Sequence, residues 1–167
     1  VYDNSSPTKN CKREGNTTME ITLNQGQQLA VDSIIQGGTM ARTQLQGFTL
    51  QGEGGTGKTT CIMWAIKEFL KAGLRVLVTA PTNKAVKQLE KSAREAGVVH
   101  MNVEFMTVAR ALGLTLLPTA EQKRTRQVKD PVVSDYDIFI LDEGSMVSAF
   151  AFNQYLLPEL EQHKIFT

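Results

Sequence analysis

Residues 52–60, Gly-Glu-Gly-Gly-Thr-Gly-Lys-Thr-Thr, set four glycines and a lysine between two stretches of different periodicity. Before them, Phe48-Thr49-Leu50 is a short apolar run of the kind that forms a buried strand. After them, Ile62, Ala65, Ile66, Phe69 and Leu70 fall at i, i+3, i+4, i+7 and i+8, one face of a helix that Gly73 closes. A strand, a glycine turn and a helix in immediate succession bury the helix against a sheet, which points away from all-α and all-β architectures.

The rest of the chain repeats the alternation. Asn24 caps a helix through Gln27, Ala30 and Ile34 that stops near the Gly37-Gly38 pair. Residues 75–80, Arg-Val-Leu-Val-Thr-Ala, form a strand, and Pro81-Thr82-Asn83 turns it into a helix whose inward stripe is Val86, Leu89, Ala93 and Ala96. A short helix follows over 107–112. Residues 137–141, Asp-Ile-Phe-Ile-Leu, are apolar enough to require cover on both faces. Residues 121–130, with Lys123, Arg124, Arg126 and Lys129, lack apolar periodicity and read as a solvated loop. The expected fold is α/β with a mainly parallel sheet. Trp64, Phe48, Phe69 and Phe139 sit at apolar positions and read as core.

The spacing Gly52-x-x-x-x-Gly57-Lys58-Thr59 is the phosphate-loop signature. Gly52, Gly54, Gly55 and Gly57 let main-chain N–H groups converge on the β- and γ-phosphates of a nucleotide, joined by the amides of Thr56, Lys58, Thr59 and Thr60. The helix starting near Lys58 adds the positive end of its dipole. Lys58 reaches the phosphates and the Thr59 hydroxyl ligates Mg²⁺. The competing reading, a glycine-rich hairpin with a chance lysine, does not account for the placement between strand and helix. Asp142-Glu143 then follows an apolar strand, where ligands of open α/β sheets bind. Asp142 is expected to hold Mg²⁺ through water, and Glu143 to polarise the attacking water.

The formal net charge of +1 removes bulk charge as a source of nucleic-acid affinity, so any such contact has to be local. Lys84, Lys87, Lys91 and Arg94 share one stripe, diluted by Glu90 and Glu95, and two readings stand: a solvated face, or a track for phosphates. Thr82 likewise fits a helix cap or a phosphate contact. Cys11 and Cys61 have no metal-ligand or disulfide-framework spacing and read as free thiols. The chain shows no run of apolar residues long enough for a membrane span and no signal-peptide pattern, so a cytoplasmic protein without a membrane partner is expected. Residues 1–20 read as a polar arm and 21–167 as one domain.

In order along the chain these stretches resemble the superfamily 1 helicases, in the branch containing RecD, the phage helicase Dda and the helicase part of conjugative relaxases. The likeness spans 23–167. Leu23-Asn24-Gln25-Gly26-Gln27 resembles the Q motif, which implies that Gln27 reads the adenine edge. Residues 52–59 resemble motif I. Residues 79–85, Thr-Ala-Pro-Thr-Asn-Lys-Ala, resemble motif Ia, implying contacts from Pro81, Thr82 and Asn83 to single-stranded DNA. Thr107-Val108-Ala109 falls where the family has Thr-x-His and departs from it at Ala109. Residues 141–146 resemble motif II, implying that Ser145 and Met146 couple nucleotide to DNA; residues 163–167 resemble the strand that follows in the family, and the family's insertions at 121–130 can contact DNA, the solvated loop being the favoured reading.

The resemblance implies a RecA-like three-layer P-loop NTPase domain, with ATP and Mg²⁺ as cofactors and single-stranded DNA as partner. It also implies a second RecA-like domain absent from these 167 residues, so the chain is expected to be an incomplete motor. A non-motor P-loop ATPase switch is the alternative. A GTP-binding switch is disfavoured because Asn83-Lys84 runs into Ala85-Val86 and no Asn-Lys-x-Asp occurs.

Overall fold

The computed structural model describes residues 23–40, 45–117, 124–127 and 129–167; the expected arm over 1–20 with Cys11, and residues 121–123 of the expected loop, lie outside them. The elements run α1 (Gln25–Thr39), α2 (Lys58–Lys71), β1 (Val76–Ala80), α3 (Asn83–Glu95), β2 (Val103–Thr107) and α4 (Val108–Ala111). They continue with β3 (Leu114–Leu117), β4 (Arg124–Gln127), β5 (Ile138–Leu141), α5 (Ala149–Ala151), a π-helical segment (Phe152–Leu156) and α6 (Leu157–His163).

β1 lies at the centre of a parallel sheet of order β2-β1-β5. Its register sets Thr79 against Leu141 and Ala80 against Thr107, so the carboxyl ends of all three strands reach one edge. Alternation along the strands divides the core into two faces. Val76, Val78, Ala80 and Ile138 pack with α1, α2 and α3 through Ile66, Phe69, Leu89 and Ala93. Leu77 and Phe139 point the other way, into Met106, Val108, Leu112, Leu156 and Leu160. Helices on both faces of a parallel sheet give the expected α/β P-loop fold. No helix among the described residues is long and apolar enough to cross a membrane.

The backbone beyond β5 continues this sheet in fragments. Phe166 forms parallel bridges to Ile138 on one side and Gln46 on the other. Phe48 N donates to Thr167 O at 2.8 Å, and Thr167 N to Gln46 O at 3.1 Å. These isolated bonds do not make a strand of Phe48-Thr49-Leu50, and Phe48 is 39% exposed, so it is not core. Among the described residues the segment's only sheet partner is the short run around Phe166. Residues 163–167 likewise give one bridged position instead of a strand.

Two further expectations, on Trp64 and on residues 124–127, change, while α1 ends at Thr39, next to the expected Gly37-Gly38 stop. A Cβ on Gly38 would lie 2.4 Å from Phe69 Cε1 and one on Gly37 2.7 Å from Phe166 Cε2, so the pair is small because α1 presses on those rings. Trp64 is half-buried under the Lys67 ammonium, 5.9 Å from its ring centroid, and lies in neither core cluster. Residues 124–127, read as loop, form β4, antiparallel to β3 with Leu114 against Gln127. A helical stretch over 149–163 is not announced by sequence patterning.

In that stretch Ser148 caps the start, its hydroxyl accepting from Ala151 N at 3.2 Å, and Leu156 and Leu160 are buried. Pro158 lacks an N–H and would crowd the carbonyl of Gln154 in a regular helix. The π segment just before it, closed by Leu157 N donating to Phe152 O, widens the backbone there.

Gly38→Ala tests the packing of α1. The methyl adds helix propensity of about 1 kcal/mol, yet it must displace the Phe69 ring, and overpacking costs about 1–3 kcal/mol. A net loss of about 1 kcal/mol is expected in urea unfolding; a more stable variant would mean that α1 does not press on Phe69.

Candidate nucleotide site

The glycine loop owes its shape to the two helices it joins. α1 is capped by Asn24, whose side chain accepts from Gln27 N at 2.9 Å, while Gln27 Oε1 accepts from Asn24 N at 2.9 Å, a reciprocal capping box. α3 is capped by Thr82, accepting from Ala85 N at 3.2 Å. α2 has no such cap. Its N-cap residue is Gly57 in the left-handed region at φ 86°, with no side chain to offer, and the first bond of the helix is Cys61 N to Gly57 O at 3.0 Å. The N–H groups of the first turn thus point out of the helix with no intrahelical acceptor, at the positive end of a 14-residue helix.

The loop above that turn is open where an anion would enter. A Cβ added at Gly54 or Gly55 would meet nothing within 4 Å. The Thr56 hydroxyl donates to Glu53 O at 2.9 Å and folds the loop on itself. Lys58 Nζ donates to Gly52 O at 2.6 Å and Glu53 O at 2.8 Å, which keeps the ammonium curled against the loop. An uncapped helix start, open glycines and a lysine on the same few residues fit a polyphosphate. Cys61 behind the loop is a free, buried thiol whose pKa is pushed up by that burial.

The acidic pair stands at the end of β5. Asp142 N donates to Thr79 O at 2.9 Å, and the buried Thr79 hydroxyl donates to Ile140 O at 2.9 Å, so β1 clamps the chain on both sides of Leu141. Asp142 Oδ1 accepts from Glu143 N at 3.0 Å. Glu143 itself is left-handed at φ 52°, one of two such non-glycine residues described, and its side chain is exposed. No group of three or more His, Cys, Asp or Glu residues among those described could hold a metal alone. Thr59 and Asp142 are the residues that could hold Mg²⁺, an ion commonly bound by one or two carboxylates together with substrate phosphates.

Sheet register brings the remaining expected positions to the same edge. Pro81, Thr82 and Asn83 follow β1, and Thr107 ends β2 opposite Ala80. Thr82 and Thr107 both act as helix caps, the latter accepting from Arg110 N at 3.2 Å. A capping hydroxyl accepts through oxygen and keeps its proton to donate. Lys84, Lys87, Lys91 and Arg94 are exposed; Lys91 pairs with Glu95 at 3.8 Å and Arg94 with Glu90 at 3.5 Å. Ser145 and Met146 are exposed in a 3₁₀ turn after the acidic pair.

Sequence reasoning missed the hydrogen bond from Gln27 Nε2 to Thr56 O, at 3.0 Å, which joins α1 to the loop. The Asn24-x-x-Gln27 spacing signals the cap, but the reach to Thr56 depends on how α1 packs on α2. It also missed the Thr79 clamp, since a lone threonine in an apolar strand carries no pattern.

No curated protein matches the chain. A family model described as an AAA domain matches residues 36–167, taking in the glycine loop, the parallel sheet and the acidic pair. Because that match spans most of the sequence and coincides with the P-loop architecture just described, the chain belongs to the AAA domain family.

Proposed function

We propose that this chain is the ATP-hydrolysing domain of a superfamily 1 DNA helicase, working with Mg²⁺ and single-stranded DNA. The observation that carries the nucleotide part is the α2 start, which lacks a side-chain cap beneath a loop open at Gly54 and Gly55. The helicase part rests on the ordered resemblance of residues 23–146 and on the AAA domain match, a type of domain found in superfamily 1 helicases.

Each residue then has a task. The first-turn amides of α2 and those of Gly54, Gly55 and Gly57 hold the phosphates, and Lys58 leaves the Gly52 and Glu53 carbonyls to pair with them. Thr59 and, through water, Asp142 would hold Mg²⁺, which would supply positive charge against that developing on phosphate oxygen. Glu143 orients water and takes its proton. Pro81, Thr82, Asn83 and Thr107 face single-stranded DNA along the same edge, with the two capping hydroxyls donating to its phosphates. Closure of a second RecA-like domain over this edge adds arginine to the transition state and turns hydrolysis into stepping.

Single-stranded oligonucleotide binding, measured by fluorescence anisotropy across a salt series, tests the DNA part. Affinity is expected to fall steeply with salt, and Lys84→Ala with Lys87→Ala to flatten the log–log slope by about 0.7 for each phosphate left without its lysine. A slope unmoved by both changes makes the stripe a solvated face. DNA stimulation of phosphate release separates a motor from an ATPase switch that does not track DNA.

A further inference from the structure

Gln27 touches the phosphate loop through a bond that has nothing to do with a nucleobase. Its Nε2 donates to Thr56 O at 3.0 Å while its Oε1 accepts from Asn24 N at 2.9 Å. The side chain is therefore fixed at both ends, by the start of α1 on one side and by the loop on the other. A Cβ on Gly57 would sit 2.4 Å from Nε2, so the amide lies directly against the residue that opens α2.

The consequence follows from peptide geometry. In a trans peptide the C=O and the next N–H point in opposite directions. Holding the Thr56 carbonyl toward Gln27 thus turns the Gly57 N–H the other way. Gly57, at φ 86°, has no side chain to bias that peptide, and a glycine in the left-handed region flips at little steric cost. Without an external hold the Thr56–Gly57 plane has no fixed orientation. Thr56 contributes two holds of its own, its hydroxyl at 2.9 Å and its N–H at 3.4 Å to Glu53 O, but both act on the side chain and on the preceding peptide and neither holds the Thr56 carbonyl.

We propose that Gln27 is a positioning residue for polyphosphate: it orients the Thr56–Gly57 peptide so that the Gly57 N–H enters the anion site, independently of which base the nucleotide carries. This rests on the reading of residues 52–60 as a phosphate loop. It assigns Gln27 a task distinct from reading adenine, because two of the four hydrogen bonds its amide can make are already used on Asn24 and Thr56.

Inorganic tripolyphosphate separates the two tasks, since it carries the phosphates and no base. Calorimetry with Mg-tripolyphosphate, Mg-ATP and Mg-GTP is run on the wild-type chain, on Gln27→Met, which keeps the length and loses both bonds, and on Asn24→Ala. The last variant removes the Asn24 side-chain cap and leaves both Gln27 side-chain bonds in place. Loss of one net hydrogen bond corresponds to about five-fold. Gln27→Met is expected to weaken all three ligands by about that factor, and Asn24→Ala to leave them within about two-fold despite a comparable loss of stability.

The Gly57 amide gives the matching spectroscopic readout. Its ¹⁵N–¹H shift is expected to move on tripolyphosphate addition in the wild type and in Asn24→Ala, and to move much less in Gln27→Met. A Gln27→Met chain that loses Mg-ATP affinity but binds tripolyphosphate like the wild type overturns the proposal and leaves base reading as the role of Gln27. Equal losses in Gln27→Met and Asn24→Ala overturn it in favour of a cap alone. A wild-type chain that binds none of the three overturns the phosphate-loop reading itself, and this proposal with it.

Discussion

Lys58→Ala is expected to lower Mg-ATP affinity about 100-fold and to leave the unfolding midpoint in urea unchanged within error. The ammonium now rests on two carbonyls of an exposed loop, Gly52 O and Glu53 O, and water replaces it there when it is gone. The packing of the core is untouched, so the change belongs with surface substitutions that move stability by less than about 0.5 kcal/mol. In the complex the same group meets phosphate oxygens, and charge-assisted bonds of this kind contribute about 1.5–3 kcal/mol each. One or two of them account for the expected factor. Calorimetric titration reads the affinity, and a Lys58→Ala chain that binds Mg-ATP like the wild type removes Lys58 from the site.

The second large effect is on chemistry alone. Glu143→Gln keeps the shape and hydrogen-bonding reach of the side chain and loses the basicity that accepts a proton from water. Turnover is expected to fall by about 10²–10⁴ while Mg-ATP affinity stays within about two-fold. The backbone is not at issue, because glutamine meets the same left-handed φ of 52° that glutamate does. The assay is single-turnover release of inorganic phosphate from Mg-ATP, so that binding and hydrolysis are read separately. Wild-type turnover in this variant would take Glu143 out of the reaction.

The placement of these two residues, at a helix start and past a strand end, is legible in the sequence because it follows from fixed spacing. A glycine, four residues, then Gly-Lys-Thr between an apolar run and an amphipathic helix leaves few structures open, and α2 begins at Lys58 as that spacing requires. The inward stripe of α3 was equally plain: Val86, Leu89, Ala93 and Ala96 are all buried. Where residues pack against partners distant in sequence, the pattern was silent or misleading. Phe48-Thr49-Leu50 has the composition of a buried strand, but a strand needs partners, and its described backbone contact is the bond from Phe48 N to Thr167 O, next to the bridge of Gln46 to Phe166. Gly37-Gly38 reads as a helix stop and lies just before the end of α1, but its composition does not announce that it is also the flat spot where α1 meets Phe69 and Phe166.

The same physics hid two more elements. β2 is half-exposed along most of its length, and Glu104 within it, accepting from the Tyr136 hydroxyl, breaks the apolar run a central strand would show. Burial and that carboxylate together push the Tyr136 phenol pKa upward. In the 149–163 stretch Pro158 looks like a terminator. The helix passes it by widening into the π segment, a solution that no local propensity announces. Within the site, the Asn24-x-x-Gln27 cap was readable, while the reach of Gln27 to Thr56 was set by the docking of α1 on α2.

The central claim is that the start of α2 and the loop above it form the nucleotide site. Amide chemical shifts followed by NMR during a Mg-ATP titration of the wild-type chain test it residue by residue. The account predicts that the largest changes fall on Gly54, Gly55, Gly57, Lys58, Thr59 and Thr60, with smaller ones at Asp142 and Glu143 across the sheet edge, and that omitting Mg²⁺ suppresses the latter. Saturating Mg-ATP that leaves the amides of residues 54–60 unmoved, or that moves a different surface instead, would contradict it.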